Sequence, residues 1–201
     1  MRGLYLVTPN WTDTDRLLQV TEAGLRGGAV LVQYRQKDAD AALRLEQASA
    51  LLALCRRHRT PLVINDYLDL CVALDADGVH LGGGDGDLAY ARNMLGSRKI
   101  VGASCYGDLA LAVAAERAGA SYAAFGGFYP SPVKRYDFVT QPDALVAARA
   151  AVQLPLVVIG GMTAANAAPL VARGAAMVAV ITSVYGAADP EGAARVLTAI
   201  F

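Results

Sequence analysis

Eight short runs rich in β-branched and aromatic residues recur at steady intervals along this chain of 201 residues: LYLVT, VLVQY, PLVIN, GVHLG, KIVGAS, SYAAFGG, LVVIGG and MVAVIT. Between them lie longer Ala/Leu/Arg-rich stretches with helical periodicity, among them Asp40 to Arg59 and Leu109 to Gly119. The runs are continuously apolar rather than alternating, as strands covered on both faces must be, and that is the pattern of a parallel sheet. Eight strand and helix pairs in one chain predict an α/β protein, a closed (β/α)8 TIM barrel forming a single domain over residues 1–201; an open doubly wound sheet is the competing arrangement. The phrases AGLRGGAVLV, ERAGASYAAF and VARGAAMVAV repeat one grammar, a helix closing on glycine and then a strand. One connection stands out in length, Pro130 to Pro142 after the sixth run, where a loop ordinarily has about 4 to 6 residues.

Composition narrows the partners. Lys plus Arg equals Asp plus Glu, so the formal charge is zero and nothing points to a nucleic-acid or membrane surface. The expected partners are small-molecule substrates, with homo-oligomerisation left open. No apolar stretch approaches the roughly 20 residues that span a bilayer, and MRGLYLVTPN lacks the pattern of a signal peptide. Cys55, Cys71 and Cys105 are odd in number and have no metal-type spacing, which reads as reduced packing thiols in a cytoplasmic protein, with Cys105 near a strand end beside Ser104.

In a barrel of this kind, chemistry sits at the C-terminal ends of the strands. The second run ends in VLVQYRQKD, which places Gln33, Arg35 and Lys37 on one face, since side chains two apart on a strand share a side. The third ends in Asn65 and Asp66. GGGDGD follows the fourth, with Asp85 and Asp87; the fifth ends at Ser104; the sixth opens into FGGFYPSPVKR with Ser131 and Lys134; the seventh into IGGMT; the eighth into Thr182 and Ser183.

Arg35, Lys37 and Lys134 bring three cations to one mouth, a fork and two point charges suited to phosphate oxygens. Surface cations with their stems on apolar neighbours are the plainer explanation, and it suits Arg56, Arg57 and Arg59 better than an inward-facing row. Asp66 and Asp85, two carboxylates amid cations, suit Mg²⁺ held together with substrate phosphates; helix capping is the alternative for Asp66 and the preferred reading for Asp87. IGGMT, followed by a helix from about Ala164, has the form of a backbone phosphate nest, completed by the end of the eighth run. Two anion sites follow, one for a pyrophosphate with metal and one for a monophosphate. Of the two histidines, His58 is expected in solvent and His80 packed in the interior, so the chemistry reads as electrostatic.

Taken in order, QYRQK, IND, GVHLG with Asp85 after it, GAS, PSPVK, IGGMT and AVITS closely resemble the thiamine phosphate synthase family over essentially the whole chain. The resemblance implies a (β/α)8 barrel that joins hydroxymethylpyrimidine pyrophosphate to a thiazole phosphate, or its carboxylated form, with release of pyrophosphate and with Mg²⁺ as cofactor. It implies that Gln33, Arg35, Lys37, Asn65, Ser104 and Lys134, with Tyr34 and Gln36 of the same QYRQK run, hold the pyrimidine pyrophosphate. It further implies Asp66 and Asp85 on Mg²⁺, and Ser131, Pro132, Val133, Gly161, Ile181 and Thr182 around the thiazole phosphate. Arg35, Lys37, Lys134 and Ser104 would be the catalytic groups. Two positions depart from the family pattern: Val133 where threonine commonly precedes the loop lysine, and Gly83 where glutamine commonly follows HLG. KRYDFVTQ after them is also bulky. The alternatives are a thiazole tautomerase-like isomerase, against which the retained cations and carboxylates and Tyr106 in place of a histidine argue, and a non-catalytic ligand-binding relative.

Overall fold

A computed structural model describes residues 1–131 and 137–201. Eight parallel strands close into one barrel in chain order: β1 (Gly3–Val7), β2 (Leu31–Tyr34), β3 (Leu62–Asn65), β4 (Gly78–Leu81), β5 (Ile100–Tyr106), β6 (Tyr122–Phe125), β7 (Leu156–Ile159) and β8 (Met177–Val180), with β8 pairing back onto β1. The helices between them are α1 (Thr14–Arg26), α2 (Ala41–Arg57), α3 (Leu68–Ala73), α4 (Leu88–Leu95), α5 (Leu109–Arg117), α6 (Asp143–Ala151) and α7 (Ala164–Ala172). A short α8 (Thr182–Tyr185) and α9 (Pro190–Thr198) follow β8. This is the closed barrel expected from eight apolar runs, not the open sheet. Among the described residues, no helix is long and apolar enough to cross a membrane.

Local chemistry sets the boundaries. Asp13, Asp40, Asp87, Asp108 and Asp189 precede α1, α2, α4, α5 and α9, and each carboxylate accepts from a backbone N–H of the first turn, satisfying donors that the helix itself leaves open. The repeated helix-to-strand glycines, Gly28, Gly119 and Gly174, have φ of 99°, 83° and 102°, a region where a Cβ is disfavoured.

Strand parity divides the core in two. Leu4, Leu6, Val32, Tyr34, Leu62, Ile64, Val79 and Val101 face outward and pack under the helices. Tyr5, Val7, Leu31, Val63, Tyr122, Ala124, Val157, Met177 and Ala179 face inward and fill the barrel. The three cysteines are free and buried. Cys105 packs in the outer layer, and burial pushes its thiol up to about 12, so it belongs to the core and not to the barrel mouth.

One inward layer is built around the absence of a side chain. Gly102 on β5 pairs with His80 on β4 and with Tyr122 on β6. The two rings meet across it, nearly parallel at 14° with centroids 5.6 Å apart. A Cβ at Gly102 would overlap Cζ and Oη of Tyr122 and lie 2.7 Å from Nδ1 of His80.

Candidate active site

The C-terminal ends of the strands converge on a cleft with two chambers. The outer one is lined by Lys37, Asp66, Gly82, Gly84, Asp85 and Tyr106, and the inner one by Tyr5, Gln33, Ser131, Gly160, Gly161, Ile181 and Thr182, among others. Arg35, Asn65, His80 and Ser104 line both, so the two chambers share a wall.

Arg35 is set by the end of β1. The Thr8 hydroxyl accepts from its backbone N–H at 2.8 Å and donates to its carbonyl at 3.1 Å, while Asn10 Oδ1 accepts from its guanidinium and from the Lys37 N–H, both at 3.4 Å. Thr8 and Asn10 did not emerge from the sequence reading. The signal was there: TPN closes the first run, and a search for polar residues at every strand end reaches it.

Asp66 does not cap α3. The residue before that helix is Tyr67, which offers no side-chain hydrogen bond, and Asp66 instead turns the chain at the end of β3 with φ 65° while its N–H donates to the His80 carbonyl. Its carboxylate pairs with Lys37 Nζ at 3.1 Å, and Asp85 lines the same chamber. Burial, and then the neighbouring Asp85, hold its pKa above the ordinary carboxylate value in spite of Lys37. Asp85 also accepts from the Gly82 N–H at 3.0 Å. Two carboxylates lining one chamber beside Lys37 form a hard-oxygen pair that a divalent cation can join, and the residues present fit Mg²⁺. Among the described residues, no group of three or more His, Cys, Asp or Glu is gathered in this way, so any remaining ligands would come from substrate or water. Asp87 caps α4, its carboxylate accepting from Ala89 and Tyr90. Gly83 donates to the Tyr106 hydroxyl at 3.1 Å, across the position where the family pattern has glutamine.

On the far side, Gly160 and Gly161 carry positive φ of 106° and 61°, and a Cβ at Gly161 would overlap the Pro130 carbonyl. This turn is braced by Asn166, which donates to the Gly161 carbonyl at 2.9 Å and completes a capping box with Thr163 at the start of α7. Ser183 donates to the Met162 carbonyl, tying the start of α8 to the same turn.

Tyr34 and Gln36 require correction. Tyr34 points outward, and its hydroxyl donates to Gln47 of α2 at 3.0 Å. Gln36 is buried, donating to the Trp11 carbonyl and accepting from the Asp38 N–H. Parity explains both, because they alternate with Gln33, Arg35 and Lys37 and so face away from the cleft. Pro132, Val133 and Lys134 lie outside the described residues. His58 is not simply solvated: it meets Glu22 of α1 at 3.1 Å. His80 is interior as expected, but it bridges Ser104 Oγ at 2.9 Å and Tyr122 Oη at 2.8 Å, so it is a polar part of the shared wall.

Comparison with known proteins follows the same lines. A family model described as thiamine monophosphate synthase matches residues 4–184. This chain belongs to that family. The activity that goes with membership is thiamine phosphate synthesis, a transferase reaction. The thiamine-phosphate synthase of Janthinobacterium sp. is 58% identical over 100% of this chain and 97% of its own length. That of Methylobacillus flagellatus is 51% identical over 100% and 96%. The thiamine phosphate pyrophosphorylase of Pyrococcus furiosus superposes with a TM-score of 0.87 at 31% identity, covering 98% of this chain and 94% of that one.

Proposed function

We propose that the cleft makes thiamine phosphate from a pyrimidine whose pyrophosphate lies in the outer chamber and whose ring reaches past the shared wall to Gln33 in the inner one, where the thiazole phosphate is also held; pyrophosphate leaves from the exocyclic carbon. The observation that carries this reading is the wall of Arg35, Asn65, His80 and Ser104 common to both chambers, since two phosphorylated reactants must meet within bonding distance. Arg35 and Lys37 receive the negative charge that develops on the departing pyrophosphate, and Lys134 is assigned the same role from its place in the sequence. Asp66 and Asp85 would hold Mg²⁺, which when bound supplies further positive charge to the pyrophosphate oxygens. Gln33, Asn65 and Ser104 orient the aminopyrimidine, whose electron-rich ring supports a cation at the carbon losing pyrophosphate; the thiazole nitrogen captures it. The backbone of Gly161 and the turn at Ile181 and Thr182, with Ser131 and the sequence-assigned Pro132 and Val133, hold the thiazole phosphate and aim the nitrogen.

Cations and a carboxylate pair gathered at one chamber weigh against a metal-free isomerase. A cytoplasmic setting with small-molecule substrates alone belongs to the same reading. The test is incubation of the purified protein with pyrimidine pyrophosphate and thiazole phosphate, with and without Mg²⁺, following pyrophosphate and thiamine phosphate together. Coupled, metal-dependent release of both is expected; binding of both substrates without product would overturn the proposal in favour of a ligand-binding relative.

A further inference from the structure

Behind the shared wall, five side chains from five strands are joined end to end. Gln33 Nε2 donates to Tyr5 Oη at 2.6 Å, Tyr5 Oη and Tyr122 Oη are 2.7 Å apart, Tyr122 Oη meets His80 Nδ1 at 2.8 Å, and His80 Nε2 meets Ser104 Oγ at 2.9 Å. A hydroxyl has one hydrogen and a neutral imidazole one N–H, so when each tyrosine hydrogen of this buried chain is to have an acceptor within it, the direction of one bond fixes the rest. With Gln33 as donor, Tyr5 gives its hydrogen to Tyr122 and Tyr122 gives its own to His80 Nδ1. The imidazole is then neutral, carries its proton on Nε2 and donates to Ser104, whose own hydrogen turns into the cleft. At the other end the amide oxygen of Gln33 is left for the cleft. The reverse order would turn the Gln33 NH2 toward the side where Arg35, two residues on, carries its guanidinium; a carbonyl oxygen is the better neighbour for that charge.

We propose that Tyr5, Tyr122 and His80 are positioning residues that fix this polarity, so that the inner chamber offers an acceptor on Gln33 and a donor on Ser104. That pair is complementary to a heteroaromatic ring bearing an amine and a ring nitrogen, donor and acceptor in turn. The ligand assignment rests on the function proposed above, whereas the polarity of the relay is a property of the ligand-free protein and can be measured without any substrate.

The chain has only two histidines, so long-range ¹H–¹⁵N spectra of the ligand-free protein contain two rings, and His58→Gln identifies the signals of His80. The expected result at pH 7.5 is a neutral His80 with its proton on Nε2; a proton on Nδ1, or a charged ring, overturns the proposal. Tyr122→Phe removes the donor to Nδ1 and is expected to abolish that tautomer preference. The same variant should lower kcat/KM for the pyrimidine pyrophosphate at least about tenfold, yet cost nothing further in a Ser104→Ala background, because it acts through that hydroxyl. Independent, additive losses would show a merely structural role. Absence of thiamine phosphate formation in the parent protein would remove the proposed function and its ligand while leaving the tautomer result to stand or fall by itself.

Discussion

Gly102→Ala tests the barrel interior most sharply, because it adds one methyl group where the fold has left room for none. The backbone at 102 is not in the left-handed region, so alanine meets no conformational objection and the whole cost is steric. The new Cβ would overlap Cζ and Oη of Tyr122 and crowd His80 Nδ1 at 2.7 Å, well inside the 3.5–4.0 Å of ordinary carbon contact. Tyr122 has little freedom to retreat, since it is fully buried and its hydroxyl is held by Tyr5 and His80. Overpacking of this kind costs about 1–3 kcal/mol. Displacing the ring gives up two buried hydrogen bonds, about 1 kcal/mol each net, so the expected loss is about 3–5 kcal/mol. That is a large share of the roughly 5–15 kcal/mol that holds an ordinary domain together. Urea unfolding should show it as a lower midpoint with an unchanged slope. Adding Tyr122→Leu, which removes the obstructing ring, should make the pair less than additive. A loss below about 1 kcal/mol for Gly102→Ala would refute the reasoning, because it would mean that His80 and Tyr122 are not locked over this glycine.

Four further outcomes are expected. Arg35→Ala should lower turnover at least about tenfold, the effect of losing about 1.4 kcal/mol of transition-state stabilisation, and unchanged kinetics would remove Arg35 from the chemistry. Asp66→Asn should raise the Mg²⁺ concentration needed for half-maximal rate; since Asp66 caps no helix, an unaltered metal titration would leave it without the assigned role. Tyr34→Phe should leave kcat and KM within about twofold while lowering stability by about 1 kcal/mol through the lost bond to Gln47; a kinetic defect at unchanged stability would restore Tyr34 to the site. Hydrogen bonding to His58 holds the Glu22 pKa below the ordinary carboxylate range, so its contribution is present above that range and is lost as pH falls through the lowered value. The thermal stability advantage over Glu22→Gln should therefore vanish on acidification, and an advantage that grows toward low pH would contradict the pairing.

The barrel was legible because burial on both faces forces continuous apolar strands, and eight of them in one chain leave few topologies. The cleft was legible where a residue breaks that pattern at a strand end: Arg35, Asn65, Asp66 and Ser104 each follow an apolar run, and all four line one cleft. Motif likeness reads consecutive letters without reading faces, and that is how Tyr34 and Gln36 entered the pyrimidine site although the alternation of Gln33, Arg35 and Lys37 already turned them outward. Thr8 and Asn10 were passed over because their part is to hold Arg35 and Lys37 in place, a role that leaves no mark on composition.

His80 marks the limit of linear reading. A histidine between Val79 and Leu81 says only that it faces inward. That it carries a hydrogen-bonded chain from Gln33 to Ser104 depends on Tyr5, 75 positions earlier, Tyr122, 42 positions later, and the glycine between His80 and Tyr122 in the sheet. By itself the sequence determined the strand count, the alternation of strands with helices and the placing of Arg35, Lys37, Asp66 and Asp85 after strand ends, because these follow from local periodicity and the rule that parallel strands end together. Only the tertiary structure decided that Lys37 pairs with Asp66, which tyrosine belongs to the cleft and which to the core, and that two chambers share a wall, because barrel closure sets these distances between residues far apart in the chain.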